Sequence, residues 1–182
     1  MVGKDETEHF VPKDLLLDAS TVFEQEYDCF EGDLLLEHTT VNAFRIFLGW
    51  LLNGNVLEDR QASLAEAWIF AASFKLPKLQ NEIMRSLCSR LERCNVLPAA
   101  VSIAYQTPEV ARQLRKVFVA HIAHDVVASD DYNWDAEAVA ECDLEDAMEL
   151  TLDIMLAMKQ AAAASGEVED GVSVEHFLVD ES

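Results

Sequence analysis

Apolar positions recur at helical spacing through most of this chain, most sharply between Phe44 and Leu91. Phe44, Phe47, Leu48, Leu51 and Leu52 share a helical stripe that ends at Asn53-Gly54, a pair that tolerates the positive φ of a helix terminus. Leu64 to Phe74 is apolar almost all round, which predicts a helix buried on every side. Pro77 opens a third helix, where proline loses no hydrogen bond and presets φ, with Leu79, Ile83, Met84, Leu87, Cys88 and Leu91 on one face. The pattern predicts a middle helix sandwiched by its two neighbours.

On either side the signals are shorter. His9-Phe10-Val11 is a strand candidate closed by Pro12, and Asp33 to Glu37 is a second. Lys13 to Leu17 opens a short helix, and Ser20 is placed to cap the next. Thr39 or Thr40 caps the Phe44 helix. Asn95 to Ala104 reads as helical with Pro98 near its start. Thr107-Pro108 is a helix start leading into Val110, Leu114, Val117, Phe118, Ile122 and Val126. After a polar break over residues 129–134, Asp143 is expected to cap a last helix with Leu144, Ala147, Met148, Thr151, Ile154, Met155 and Met158 on one face.

Composition narrows the functional classes. The 182 residues are 51% apolar and carry a formal net charge of −21, which argues against binding a phosphate backbone. Residues 1–59 hold 3 basic and 13 acidic side chains, residues 60–124 hold 9 and 4, and residues 125–182 hold 1 and 17. The basic middle, including Arg85, Arg90, Arg93, Arg112, Arg115 and Lys116, is expected to face its own acidic flanks. No apolar run approaches the ~20 residues that span a bilayer. Cys29, Cys88, Cys94 and Cys142 lack zinc-like spacing and read as reduced thiols, so the expected setting is intracellular, cytoplasmic or nuclear.

Phe10-Val11-Pro12-Lys13-Asp14-Leu15-Leu16, then Ser20 and Phe23, then Phe44, Phe47-Leu48, Trp50-Leu51 and Gly54, resembles the BTB/POZ domain, and particularly its divergent fungal forms. Trp68, Phe70 and Ala71, Leu79-Gln80-Asn81, and Tyr105-x-Thr107-Pro108 continue the likeness, which covers about two thirds of the chain. There are departures. The family's first strand should precede Met1, Pro12 replaces a histidine, and Leu52 stands where tyrosine is frequent. The resemblance implies an α+β, helix-dominated fold with a BTB/POZ-like helical core and a small sheet over residues 1–94. A C-terminal helical extension over 95–164 and an acidic, disordered tail over 165–182 follow from composition and periodicity.

The function implied is non-enzymatic: a protein-interaction module that self-associates or serves as an adaptor for a cullin-type ubiquitin ligase. Lys13 matches a basic residue that pairs across some family dimers. Asn53, Asn55, Glu58 and Asp59 match the cullin-facing corner. An alternative is a truncated or decoy fragment that pairs with full-length relatives through an open sheet edge. A remote alternative is a small metal-binding protein or hydrolase. His121 and His124, three apart, can share a metal, but no further ligands are evident, and the expectation is solvent-facing histidines with no cofactor. Met148, Met155 and Met158 are expected to pack on the Val110–Val126 helix, with a binding face as the alternative. Phe177, within Val172-x-Val174-x-x-Phe177-Leu178-Val179, is the candidate anchor of a docking motif. The partners expected are proteins, in a homo- or hetero-oligomer or with a cullin. Neither nucleic acid nor membrane is expected.

Overall fold

The computed structural model describes residues 9–28, 36, 39–58, 60–128, 134–144, 147–164 and 172–181. These form nine α-helices: α1 Lys13–Ala19, α2 Thr21–Asp28, α3 Val41–Asn53, α4 Gln61–Ser73, α5 Pro77–Leu91, α6 Pro98–Gln106, α7 Arg112–Ala128, α8 Ala136–Glu141 and α9 Ala147–Ala164. One 3₁₀ turn, Val174–Phe177, comes after them.

The helix boundaries follow local chemistry. Thr40 caps α3 by accepting from the Ala43 N–H at 3.1 Å, and its hydroxyl donates to Glu66 on α4 at 2.8 Å. Gly54 ends α3 at φ 74°, returning its N–H to the Trp50 carbonyl at 2.7 Å. Ser20 accepts from the Val22 N–H at the start of α2. Between α4 and α5 the chain reverses through Lys75 at φ 51°. The Leu76 N–H reaches the Ala71 carbonyl, and the Lys75 N–H the Ala72 carbonyl. This pair of bonds closes a helix end tightly. The Ser20 hydroxyl donates to the Phe74 carbonyl at the same corner.

Helix α4 lies against α3, α5 and α6, which explains why it has no polar face. Leu64, Ala65, Ala67 and Ala71 are fully enclosed, and Trp68 is 2% exposed. Phe23, Phe44, Phe47, Phe70 and Phe74 form one aromatic cluster where α2, α3 and α4 meet. Buried side chains of this size contribute about 1.5–3 kcal/mol each. The core runs without a break into α6, α7, Cys142, Leu150 on α9 and Phe177. Helix α7 packs chiefly on α9, and α8 fills the corner between α6 and α9.

Several expectations are corrected. The α+β class with a small sheet does not hold: among the described residues there is no strand, only an isolated bridge at the buried Leu36. His9-Phe10-Val11 is irregular. No partner strand lies beside it among the described residues, Pro12 has no N–H to offer a ladder, Phe10 is 97% exposed, and the His9 ring packs on Phe44 at 5.2 Å. The rest of the Asp33–Glu37 candidate and the first family strand fall outside the described residues. With no strand among the described residues, the open sheet edge invoked for a decoy fragment has no counterpart there.

Thr107-Pro108 does not begin α7. The Thr107 hydroxyl donates back to the Ile103 carbonyl at the end of α6, residues 108–110 turn, and α7 starts at Arg112, leaving Val110 40% exposed. Asp143 does not cap α9; it sits at φ 48° in the turn after α8. That short helix is capped by Asp135, whose carboxylate accepts from the Glu137 and Ala138 N–H groups. The 172–181 part of the tail, expected to lack core residues, is docked on α5 and α7.

Candidate functional site

Three surfaces carry the residues singled out from the sequence. The first is the corner after α3. Asn53 is the last residue of α3, and its side-chain amide donates to the Gly49 carbonyl at 3.0 Å. Asn55 is exposed in the turn after it. Glu58 is half-buried and braces the loop: it accepts from the Arg60 backbone N–H at 2.9 Å and pairs with the Arg60 guanidinium at 3.0 Å. Asp59 lies outside the described residues. Two leucines dominate this corner: Leu52, expected on the apolar stripe of the Phe44 helix, is 67% exposed, and Leu57, which the sequence reading did not single out, is 82% exposed. Lys13, exposed at the start of α1, belongs to a different element.

The second surface is the outward side of α9. Leu150, Ile154 and Ala157 turn toward the core and α7. Met148, Leu152 and Met155 turn away, all more than half exposed. The methionine stripe therefore does not pack on α7 at these positions. Positions 150, 154 and 157 already fill that interface, and 148, 152 and 155 lie on the far side of the helix. Met158 is half-buried.

The third surface joins α5, α7 and α9 to the tail. Asn81 is 3% exposed on the buried side of α5, which is apolar apart from it and Gln80. Its Nδ2 donates to the Val179 carbonyl at 2.9 Å and to the Glu181 carboxylate at 2.8 Å. Its Oδ1 accepts the Val179 N–H at 2.8 Å. A single amide thus reads the main chain of an extended residue from both sides. Phe177 is buried two residues earlier. The signal for this site was present: a polar residue three positions before Met84 and seven before Cys88, on the same helical face, requires a partner. Gln61 is used the same way elsewhere, spanning the α5–α6 loop between the Asn95 carbonyl at 2.8 Å and the Leu97 N–H at 2.9 Å.

Beside Phe177 lies a cavity of about 500 Å³, lined by Arg112, Arg115 and Lys116 from α7 and by Glu149, Asp153 and Gln160 from α9. One wall is a polar lock. Tyr105 donates to Asp153 at 2.7 Å, the Arg115 guanidinium lies 3.9 Å over the Tyr105 ring, and Arg115 pairs with Glu149 at 2.6 Å. Burial, then the hydrogen bond to Asp153, drives the Tyr105 pKa upward, so the phenol keeps its proton and acts as a fixed strut. The Arg115–Glu149 pair joins the basic middle to the acidic C-terminal third, as the charge map predicts. Arg85 pairs instead with Glu82 on its own helix at 3.1 Å.

His121 is not solvent-facing. It is 4% exposed, its Nε2 has no hydrogen-bond partner, and burial lowers its pKa. His124 is exposed and contacts Asp125 at 3.2 Å. Among the described residues, no group of three or more His, Cys, Asp or Glu side chains is placed to hold a metal. Cys88, Cys94 and Cys142 are free. Burial, with Glu92 secondary, pushes the Cys88 thiol up to about 12; burial, with Glu141 secondary, pushes Cys142 to about 11. Cys29 lies outside the described residues. No helix is long and apolar enough to cross a membrane among the described residues. Compared with protein-family models, curated proteins and solved structures, the chain matches none.

Proposed function

We propose that this chain is a non-catalytic protein-interaction module of BTB/POZ type that engages a partner protein through the corner after α3. The observation carrying this reading is the exposure of Leu52 and Leu57 on either side of the Gly54 turn that ends α3. Gly54 supplies the left-handed turn, and Glu58 with Arg60 braces the segment leading into α4. Two large apolar side chains, Leu52 on the last turn of α3 and Leu57 after the Gly54 turn, flanked by Asn53 and Asn55, suit a helical partner surface: leucines enter its grooves, and the amides satisfy its rim. The resemblance of Phe44 to Gly54 to the BTB/POZ corner names a cullin-type scaffold as the partner to test first.

The test is capture of a purified cullin amino-terminal domain by the full chain, compared with the Leu52→Asp, Leu57→Asp double variant. Capture that the double variant weakens by about 30-fold or more supports the reading. No capture above background by the parent chain refutes the cullin assignment. Self-association is a second reading, favoured by the outward row Met148, Leu152 and Met155 on α9. Light scattering that gives a monomer mass at all concentrations removes it.

A further inference from the structure

The α5–α7 face holds residues 172–181 by chemistry suited to a peptide main chain, and the hold is incomplete. Asn81 contacts Val179 through its N–H and carbonyl, groups that every residue except proline presents, so this clamp places a segment without choosing its side chain. Selection falls to the anchor and the charges. Phe177 supplies the anchor, and Glu181 supplies a carboxylate to Asn81. Around them the tail leaves binding capacity unused. The cavity of about 500 Å³ beside Phe177 has Leu156 and Ala157 on its apolar side and Arg112 and Lys116 on its basic side. Among the described residues, neither of these two cations has an ion-pair partner.

The occupant is also lightly attached. It consists of one 3₁₀ turn and flanking residues; Phe177 is buried, and Val172, Val174, Leu178 and Val179 pack against the core only in part. A short terminal segment with one fully enclosed side chain detaches by local opening, without unfolding the helices beneath it. Asn81 differs from a purely structural core residue in this respect: when the tail leaves, it becomes an uncovered donor and acceptor pair aimed at the next main chain to arrive.

We infer that the α5–α7 face is a peptide-binding groove for extended acidic segments anchored by an aromatic side chain. Residues 172–181 are its resident occupant, displaced when a partner protein presents a better-fitting segment of the same chemistry. The partner gains over the tail by filling the cavity beside Phe177 and by setting carboxylates against Arg112 and Lys116. The tethered tail competes at an effective concentration on the order of millimolar, so the groove is closed to weak ligands and open to strong ones. This inference is independent of the corner after α3.

The test uses a fluorescently labelled peptide of residues 172–182, titrated against the full chain by anisotropy. Phe177→Ala weakens the resident anchor, and Val179→Pro removes the N–H that Asn81 accepts; neither alters the groove. Both variants, checked for cooperative melting, should bind the peptide at least about tenfold more tightly than the parent chain, because the competitor is disabled. Adding Asn81→Ala to the Val179→Pro chain should abolish that binding. Equal affinity for parent and folded release variants, no binding to either release variant, or full binding after loss of Asn81 overturns the inference. Hydrogen exchange on the parent chain gives a reading that needs no variant. Amides of Phe177 to Val179 should exchange at least about 100-fold faster than those of Ile83 to Leu87. Equal protection makes the tail a fixed part of the core and overturns the displaceable role.

Discussion

Replacing Phe70 tests the enclosure of α4 more directly than any other single change. Phe70 is 4% exposed, and its ring centroid lies 4.6 Å from Phe74, 5.3 Å from Phe47, 6.1 Å from Phe44 and 6.4 Å from Phe23. Phe70→Ala removes a buried ring from a site lined by rings of α2, α3 and the end of α4. Those rings cannot all collapse into the gap, so the loss should fall in the range of about 3–5 kcal/mol. Phe70→Leu keeps most of the volume and burial but forfeits the ring-on-ring geometry, and should cost about 1–2 kcal/mol. Set against a total stability of about 5–15 kcal/mol, the alanine variant should still fold, with a midpoint lower by about 6–20 °C. Urea unfolding followed by tryptophan fluorescence measures both variants, with the slope checked for constancy. A loss below about 1 kcal/mol for Phe70→Ala at unchanged slope would refute the enclosed cluster. Equal losses for Leu and Ala would show that shape, not burial, sets the energy there.

Two further predictions concern stability. Gly54→Ala places a side chain at φ 74°, where the new Cβ meets no atom within 4 Å, so the loss is backbone strain alone: about 1–2 kcal/mol by urea unfolding, with the helices otherwise intact. His121 is buried neutral with a folded-state pKa below its ordinary 6.5, so the unfolded chain binds its proton more readily. Its contribution is therefore complete above about pH 6.5 and is lost as pH falls below that toward the folded-state value. The stability difference between the parent chain and His121→Leu should shift against the parent from pH 7.5 to 5.5; a shift in its favour would mean that the imidazole is charged and paired.

Much of the scaffold is legible in the sequence because helices announce themselves locally. The Leu64–Phe74 run had to be buried on all sides, and Pro77 and the Asn53-Gly54 pair mark ends that backbone sterics enforce. The sheet was misjudged for a related reason. His9-Phe10-Val11 has strand-like residues, but a strand exists only when a second segment completes its ladder, and no three-residue window records that. The Asp143 and Thr107 side chains suit the role of a cap. Each instead serves the turn beside it, since capping depends on the φ, ψ of the flanking residues. Met148 and Met155 belong to an amphipathic helix whose two candidate faces are both apolar, so period alone cannot say which one meets α7.

The sequence by itself therefore determined the three helices between Phe44 and Leu91, that α4 is central, and that charge separates a basic middle from acidic flanks. These are properties of spacing, backbone restriction and counting. Only the tertiary structure decided that Asn81 grips the main chain of Val179, that Phe177 is buried where an acidic tail was expected to be free, and that His121 lies inside. Asn81 and Val179 are 98 residues apart. Whether a polar side chain finds a partner at that separation depends on how the helices stack, which is a sum over many weak contacts and is not written in any one stretch of chain.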